Sequence, residues 1–386
     1  MSLIHTRILQ SFTGAALALA VGAMAPAQSS SQAPAPAPAP AAPPTWSVGP
    51  MELSGLIDGY YSYNANRPSD AANGQINDLY NFNDKTDQFN LSEAKLTLNH
   101  DPDPVGARID LFVGRTNTLI NGGSNDQGDY LEQAYLSLKP PKGKGFEMDF
   151  GKFVTSAGAE VIEAKDDWSY SRGILFAWAI PYYHFGLRTS MPVSSKDTIG
   201  VQVVNGWNNV TSNNGGVTIG LTNALTLPKA SWLVNFYSGP SNASTQKGYR
   251  NLIDTVLTLS PTSNFSAYIN YDYGQNRDAL ADQGDTALNH WQGVAFAAHG
   301  QVTGTSALTG RFEFFHDMNG YSTGTAQKLK EFTGTYEYKW AEGLLTRVEY
   351  RRDWSDQPFF HKGDTNMVDA QSTVSVGFIA FFGPKR

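Results

Sequence analysis

The segment FTGTYEYKWAEGLLTRVEYRRD, residues 332–353, decides the fold class. Its first half sets Phe332, Tyr336, Tyr338 and Trp340 on one face and Thr333, Thr335, Glu337 and Lys339 on the other. After the turn Ala341-Glu342-Gly343, the residues Leu344, Thr346, Val348 and Tyr350 alternate with Arg347, Glu349, Arg351 and Asp353. A period of two is that of a β-strand, whose successive side chains point to opposite faces. Each run is about ten residues long, the length a tilted strand needs to cross ~30 Å of hydrocarbon and longer than the five or six usual in soluble sheets. An aromatic and aliphatic face opposite a charged one therefore reads as a strand with lipid on one side and water on the other.

The pattern recurs along the chain. Residues 105–114 set Ala107, Ile109, Leu111 and Val113 against Arg108, Asp110 and Phe112. Candidate strands fall at 53–63, 88–99, 105–114, 130–139, 146–154, 182–191, 197–207, 217–227, 231–238, 250–260, 265–274, 290–299, 307–316, 328–340, 344–354 and 371–382. About sixteen is an even number, as a closed antiparallel bacterial barrel requires. Short connections (101–104, 140–145, 192–197, near Pro228, 260–264, 341–343) separate long ones (64–87, 115–129, 275–289, 317–327, 355–370). Short turns on the periplasmic side and long loops outside fit an outer-membrane barrel with both termini periplasmic. The expected class is thus all-β, a transmembrane antiparallel β-barrel of about 16 strands over residues 51–386. Aromatic residues at strand ends, such as Tyr60, Tyr61, Tyr63, Tyr271 and Tyr273, suit interfacial girdles but also simply favour strands.

Ahead of the barrel, residues 1–27 combine Arg7, an apolar run from Ala15 to Ala23 and Ala25-Pro26-Ala27, which reads as a secretory signal peptide. Residues 28–45, QSSSQAPAPAPAPAAPPT, favour extended polyproline II and hold nothing to pack a core. A disordered Pro/Ala-rich linker is expected over 28–50, serving as tether or as a periplasmic binding segment. Cleavage after Ala27 removes one Arg and no acid, so the formal charge moves from -7 to -8, and nucleic acid is not an expected partner. With no cysteine in 386 residues, neither a disulfide scaffold nor a thiolate zinc site is available.

One stretch departs from the rhythm of short strands. Residues 151–188, GKFVTSAGAEVIEAKDDWSYSRGILFAWAIPYYHFGLR, carry the acids Glu160, Glu163, Asp166 and Asp167, then an apolar run ended by Pro181. It is read as a loop folded into the barrel. Lys152 and Arg188 flank it, and Arg172 lies within it. Late in the chain Arg311, Arg347 and Arg351 face inward on neighbouring strands, with Lys330 nearby and Glu313, Glu331, Glu337, Glu349 and Asp353 on the same faces. Two readings stand for these charges: cross-strand ion pairs that order a wet wall, or a basic wall opposed to the acidic loop that sorts ions at a constriction. Catalysis is not expected, because His100, His184, His290, His299, His316 and His361 are scattered one to a strand or loop, without triad or metal spacing. The loops NDQGD (125–129) and DQGD (282–285) are read as solvated, with calcium or lipopolysaccharide-bound divalent ions as the other reading.

The sequence LEQAYLSLKPPKGKGFEMDFGKFVTSAGAEVIEAKDDWSYSRGILFAWAIPYYHFGLR, residues 131–188, is closely similar to the OmpL-like family of outer-membrane β-barrel porins. The segments VVNGWNNV (203–210), LIDTVLTLSPTSNFSAYINYDYG (252–274), TGTAQKLKEFTGTYEYKW (323–340) and RVEYRRDWSDQPFF (347–360) resemble the same family, which extends the resemblance over about residues 51–382. It implies a porin without naming a solute. The expectation is a water-filled outer-membrane channel for passive diffusion of small hydrophilic solutes or ions, without cofactor, with the acidic loop as constriction. Its partners would be outer-membrane lipids and the solutes. A homotrimer is compatible with a barrel of this size, although nothing in the sequence demands one. The rival expectations are a plugged barrel serving as surface receptor, adhesin or envelope anchor, and a lipid hydrolase.

Overall fold

Sixteen alternating segments become sixteen long strands in the computed structural model, which describes residues 47–122, 129–278 and 287–384. They are β1 Met51–Asn64, β2 Gln88–His100, β3 Val105–Val113, β4 Leu131–Leu138, β5 Glu147–Val154, β6 Tyr183–Pro192, β7 Asp197–Val204, β8 Thr218–Leu227, β9 Ala230–Pro240, β10 Tyr249–Thr262, β11 Phe265–Arg277, β12 Leu288–Gln301, β13 Ser306–Asp317, β14 Gln327–Ala341, β15 Leu344–Ser355 and β16 Ala370–Phe382. Each pairs antiparallel with the next. The ring closes where β16 pairs with β1, from Thr373 opposite Asn64 to Phe382 opposite Gly55. Closure satisfies the backbone groups of every strand and leaves no edge, the condition for a sheet to stand in hydrocarbon.

The side chains invert the order of a soluble sheet. On β13 to β16 the outward row contains Leu308, Phe332, Val348 and Phe378, between 42 and 54 % exposed, while Arg311, Glu331 and Arg351 point inward and are at most 1 % exposed. Exposed aliphatic and aromatic rows are stable only against lipid, so this inversion is the physical mark of a membrane barrel. Lys330 belongs to the outward row, two residues from Phe332.

Short turns and both described chain ends lie at one end of the barrel, and long loops at the other. The long loops are L1 (65–87), L2 (114–130), L3 (155–182), L4 (205–217), L5 (241–248), L6 (278–287), L7 (318–326) and L8 (356–369). The expected signal peptide (1–27), most of the expected linker, the DQGD motif and all but Asp129 of NDQGD lie outside the described residues. Within the last part of that linker, Ser47–Val48 fold back through Gly49 and Pro50 to pair with Met51 and Glu52 at the rim of the barrel.

Part of the interior is packed. L3 carries a short helix, Ile174–Trp178, whose Ile174, Leu175 and Phe176 are buried together with Leu79 and Phe82 of L1. Wall residues complete this cluster: Leu252 and Val256 of β10, Trp291 of β12, Phe315 of β13 and Leu329 of β14. Burying these apolar side chains inside the barrel stabilises the inward position of both loops, at roughly 25 cal/mol per Å² of apolar surface removed from water.

Candidate functional site

L3 crosses the lumen and is bonded to the wall along much of its length. Its entry is held at β9 and β11: the Ser156 hydroxyl donates to Asn235 Oδ1 (3.0 Å) and meets the Tyr237 hydroxyl at 2.8 Å, and the Ala159 amide donates to Asn270 Oδ1 (3.2 Å). The loop then lies along β13 and β15. Arg311 Nη1 donates to Glu160 Oε1 at 2.5 Å and to the Ser171 carbonyl at 2.6 Å, while its Nε is 3.1 Å from Glu331 Oε2. Glu160 Oε2 accepts from the Gly173 amide (2.6 Å), and Glu313 accepts from the Ile174 amide. Glycine at 173 leaves the space that this contact uses: a Cβ there would stand 2.3 Å from a Glu313 carboxylate oxygen and force that carboxylate to shift.

The next contacts are with β15, β16 and β1. Glu349 accepts from the amides of Tyr170 (2.7 Å) and Ser171 (3.1 Å). Arg347 donates to the carbonyls of Ala164, Asp167 and Ser169, and Arg351 to the carbonyl of Arg172 at 2.8 Å. The Tyr170 hydroxyl reaches Asp58 Oδ1 on β1 (2.6 Å), its ring seated on Gly377 of β16, where a Cβ would be 2.3 Å from the ring. Charged side chains of the wall thus hold the peptide groups of the loop, satisfying backbone that would otherwise be buried without partners.

Of the ten site residues singled out in the sequence, Glu160, Arg311, Arg347 and Arg351 meet in this latch. Asp167 joins it through its carbonyl, and its carboxylate turns back to the Val161 amide (2.9 Å) and Arg172 (3.3 Å). Arg172 is internal to the loop, donating to the carbonyls of Val161, Ile162 and Tyr170. Glu163 reaches Lys95 on β2 instead of the arginines. Burial opposes its ionisation, yet the Lys95 ammonium outweighs burial and brings the carboxyl down to about 2. Asp166 is exposed and pairs with its neighbour Lys165. Lys152 donates to Asn121 Oδ1 and the Leu131 carbonyl, and Arg188 pairs with Asp149 at 2.7 Å, both away from the latch. Loop and basic wall are in direct contact, not facing each other across water.

Sequence reasoning missed Lys95, which shares Glu93 (3.7 Å), Glu132 (2.8 Å) and Glu163. Its place on an inward row with Thr97 and Asn99 was the available signal. It also missed a small cavity of about 10 Å³, room for about one water, near the loop end of β6 to β10, lined by His184, Trp207, Thr218, Tyr237, Ser241 and Arg250 among others. At the turn end of β8 to β11 Thr222, Ala224, Leu233, Thr258 and Ser266 are half-buried.

A closed sixteen-stranded barrel with an apolar outer wall, a charged interior and a long loop folded into its lumen is the architecture of an outer-membrane porin. The chain belongs to the family described as "Putative beta-barrel porin-2, OmpL-like", which matches residues 50–382. No curated protein matches the sequence. Among solved structures, similar barrels include the anion-selective porin from Comamonas acidovorans (TM-score 0.60, 12 % identity, 86 % of this chain and 99 % of that one). The outer-membrane channel DcaP of Acinetobacter baumannii is similar to the same degree (TM-score 0.60, 12 % identity, 86 % and 97 %). OmpT of Vibrio cholerae in its trimer form follows (TM-score 0.54, 13 % identity, 86 % and 99 %). At such identities these likenesses concern the fold.

Proposed function

We propose that this outer-membrane porin is a non-enzymatic, passive and narrow channel in which L3 sets the cross-section. The observation that carries the reading is the latch: loop peptide groups and Glu160 are bonded to Arg311, Arg347, Glu349 and Arg351, so the loop covers the β13 to β16 side of the lumen. Small hydrophilic solutes or ions then pass along the β6 to β10 wall, from the loop end to the turn end. We take the loop end as the cell exterior and both termini as periplasmic, with residues 1–27 a cleaved signal and the Pro/Ala-rich segment a tether. A homotrimer, by analogy with a similar structure described as a trimer form, is part of the proposal.

A second reading has its own observation in its favour. Tyr237 is 2 % exposed, stacks on His184 at 4.9 Å and meets Ser156, so L3 and this wall are packed against each other at that level. In that reading the barrel is plugged and serves as a surface receptor or envelope anchor. Swelling of liposomes carrying the purified barrel discriminates between the two. The porin reading expects swelling in small sugars that slows with solute size, and swelling no faster than in protein-free vesicles would favour the plug.

A further inference from the structure

Charge on a lipid-facing row is destabilising at the bilayer midplane and tolerated near the interfaces. The outward row of β14 is apolar or aromatic from Trp340 through Tyr338 and Tyr336 to Phe332, and then continues toward the loop end with two exposed lysines, Lys330 and Lys328. On β15 the outward row of Leu344, Val348 and Tyr350 is followed in the same direction by Arg352 and Trp354. Cross-strand register gathers these cations: Lys330 stands opposite Trp354, Arg352 opposite Phe332, and His316 of β13 opposite Lys328. Opposite and diagonal neighbours on one sheet face are ~5–8 Å apart, so the charged side chains reach a common area.

The fold does not neutralise them. Arg352 Nη1 donates to the Ser372 hydroxyl at 2.9 Å, and its guanidinium carbon lies 5.2 Å from the centre of the Trp354 ring, both uncharged partners. An aromatic face steadies the cation and leaves its charge in place. Among the described residues Lys328, Lys330 and Arg352 have no carboxylate within ion-pair distance. No Asp or Glu stands on the outward rows of β12 to β16, and the Oδ1 of Asp356 in L8 is taken by the Lys328 amide at 2.8 Å. The inner face of the same strands differs, since Arg311, Arg347 and Arg351 all have carboxylate partners there. The charge of the outer face is left for a group outside the chain.

We infer that Lys328, Lys330 and Arg352 form a site on the outer wall for the phosphate groups of a lipid in the leaflet at the loop end. Cations just beyond the apolar band meet the headgroup level of that leaflet, while the exposed rings of Phe314, Phe332 and Tyr350 below them meet its acyl chains. A phosphate offers acceptor oxygens to an arginine fork and to ammonium groups at once. A lipid carrying that phosphate adds apolar contact that a free anion lacks. The site is independent of conduction and stands whether the barrel is open or plugged.

The test is native mass spectrometry of the purified barrel in neutral detergent, with diphosphorylated lipid A or phosphatidylcholine added and inorganic phosphate as competitor. Lipid A is expected to stay bound at the lowest concentration, because phosphatidylcholine carries no net charge. In the combined variant Lys328→Gln, Lys330→Gln and Arg352→Gln the concentration of lipid A for half occupancy should rise about tenfold or more, the loss expected of charge-assisted contacts to phosphate. A control removes charge at the opposite end of the barrel, Lys142→Gln with Lys144→Gln in an exposed turn, and should bind like the parent. Heat-shifted migration on gels shows that each variant is folded. No retention of lipid A by the parent, or equal retention by parent and combined variant, would overturn the site. Equal loss in the combined variant and the control would overturn it as attraction to net charge alone, and phosphatidylcholine held as well as lipid A would reduce it to the apolar wall. Inorganic phosphate displacing lipid A at equal concentration would overturn a lipid as the occupant.

Discussion

Arg311 stands between Glu160 of the loop and Glu331 of the wall, with all three side chains out of contact with bulk water. Desolvation consumes much of what such a buried group gains from attraction, but removing one partner leaves charges buried without compensation and costs ~3–5 kcal/mol. Arg311→Met should therefore lower the temperature at which the folded band disappears in dodecyl sulfate, and an unchanged transition would show the contact to be energetically idle. Glu160→Gln acts in the opposite electrostatic sense. It leaves Arg311 with less negative compensation, so reversal potentials in a salt gradient should move toward anion preference. Glu163 offers a pH readout. Its folded carboxyl sits near 2, below the ordinary 4.5, so the pair with Lys95 favours the docked loop above that ordinary value and loses this contribution as the pH falls through about 2. Conductance steps should grow below ~pH 3 in the parent by this linkage, and Glu163→Gln should abolish the acid step and show larger steps already at neutral pH.

At the scale of elements, L3 behaves as a strap whose anchor points are spread over β1, β2, β9, β11, β13 and β15. Gly377 is a mechanical test of it: Gly377→Val would fill the space taken by the Tyr170 ring and lever the loop from β16. Channel noise and mean conductance should both rise, whereas parent-like traces would mean that Tyr170 does not hold the loop. The strands themselves were legible in the sequence because alternation with period two is imposed by lipid on one side and polar interior on the other. Boundaries moved where turn chemistry intervenes. The seventh strand stops at Val204 instead of reaching 207, because Gly206 (φ 132°) and Asn208 (φ 56°) begin a turn. The inward course of L3 was legible too, from its length and its apolar run ended by proline. What stayed hidden was which wall group meets which loop atom. Many latch contacts run from a side chain to a peptide group, and residue identity says little about where a carbonyl will lie. One signal was present but unread: Leu252 beside Ile253, and Val256 beside Leu257, make β10 apolar on both faces, and its inner residues pack in the cluster that receives the loops.

For the whole molecule, closure of the ring by β16 on β1 explains why no edge is available for unzipping. Unboiled protein should migrate differently from boiled protein in dodecyl sulfate, and identical migration would argue against a closed barrel. Cross-linking in detergent should report a homotrimer if the assembly follows the similar trimeric barrel, and only monomers would remove that part of the proposal. The central claim, that L3 is what narrows this channel, is tested most directly by single-channel conductance of the parent beside a variant lacking residues 160–167. Small steps are predicted for the parent and larger steps for the variant, which should still migrate as a folded barrel in unheated dodecyl sulfate. Its transition should come at a lower temperature, because Arg311 loses Glu160. Equal steps from the two proteins would place the narrowest point among the strands and contradict it.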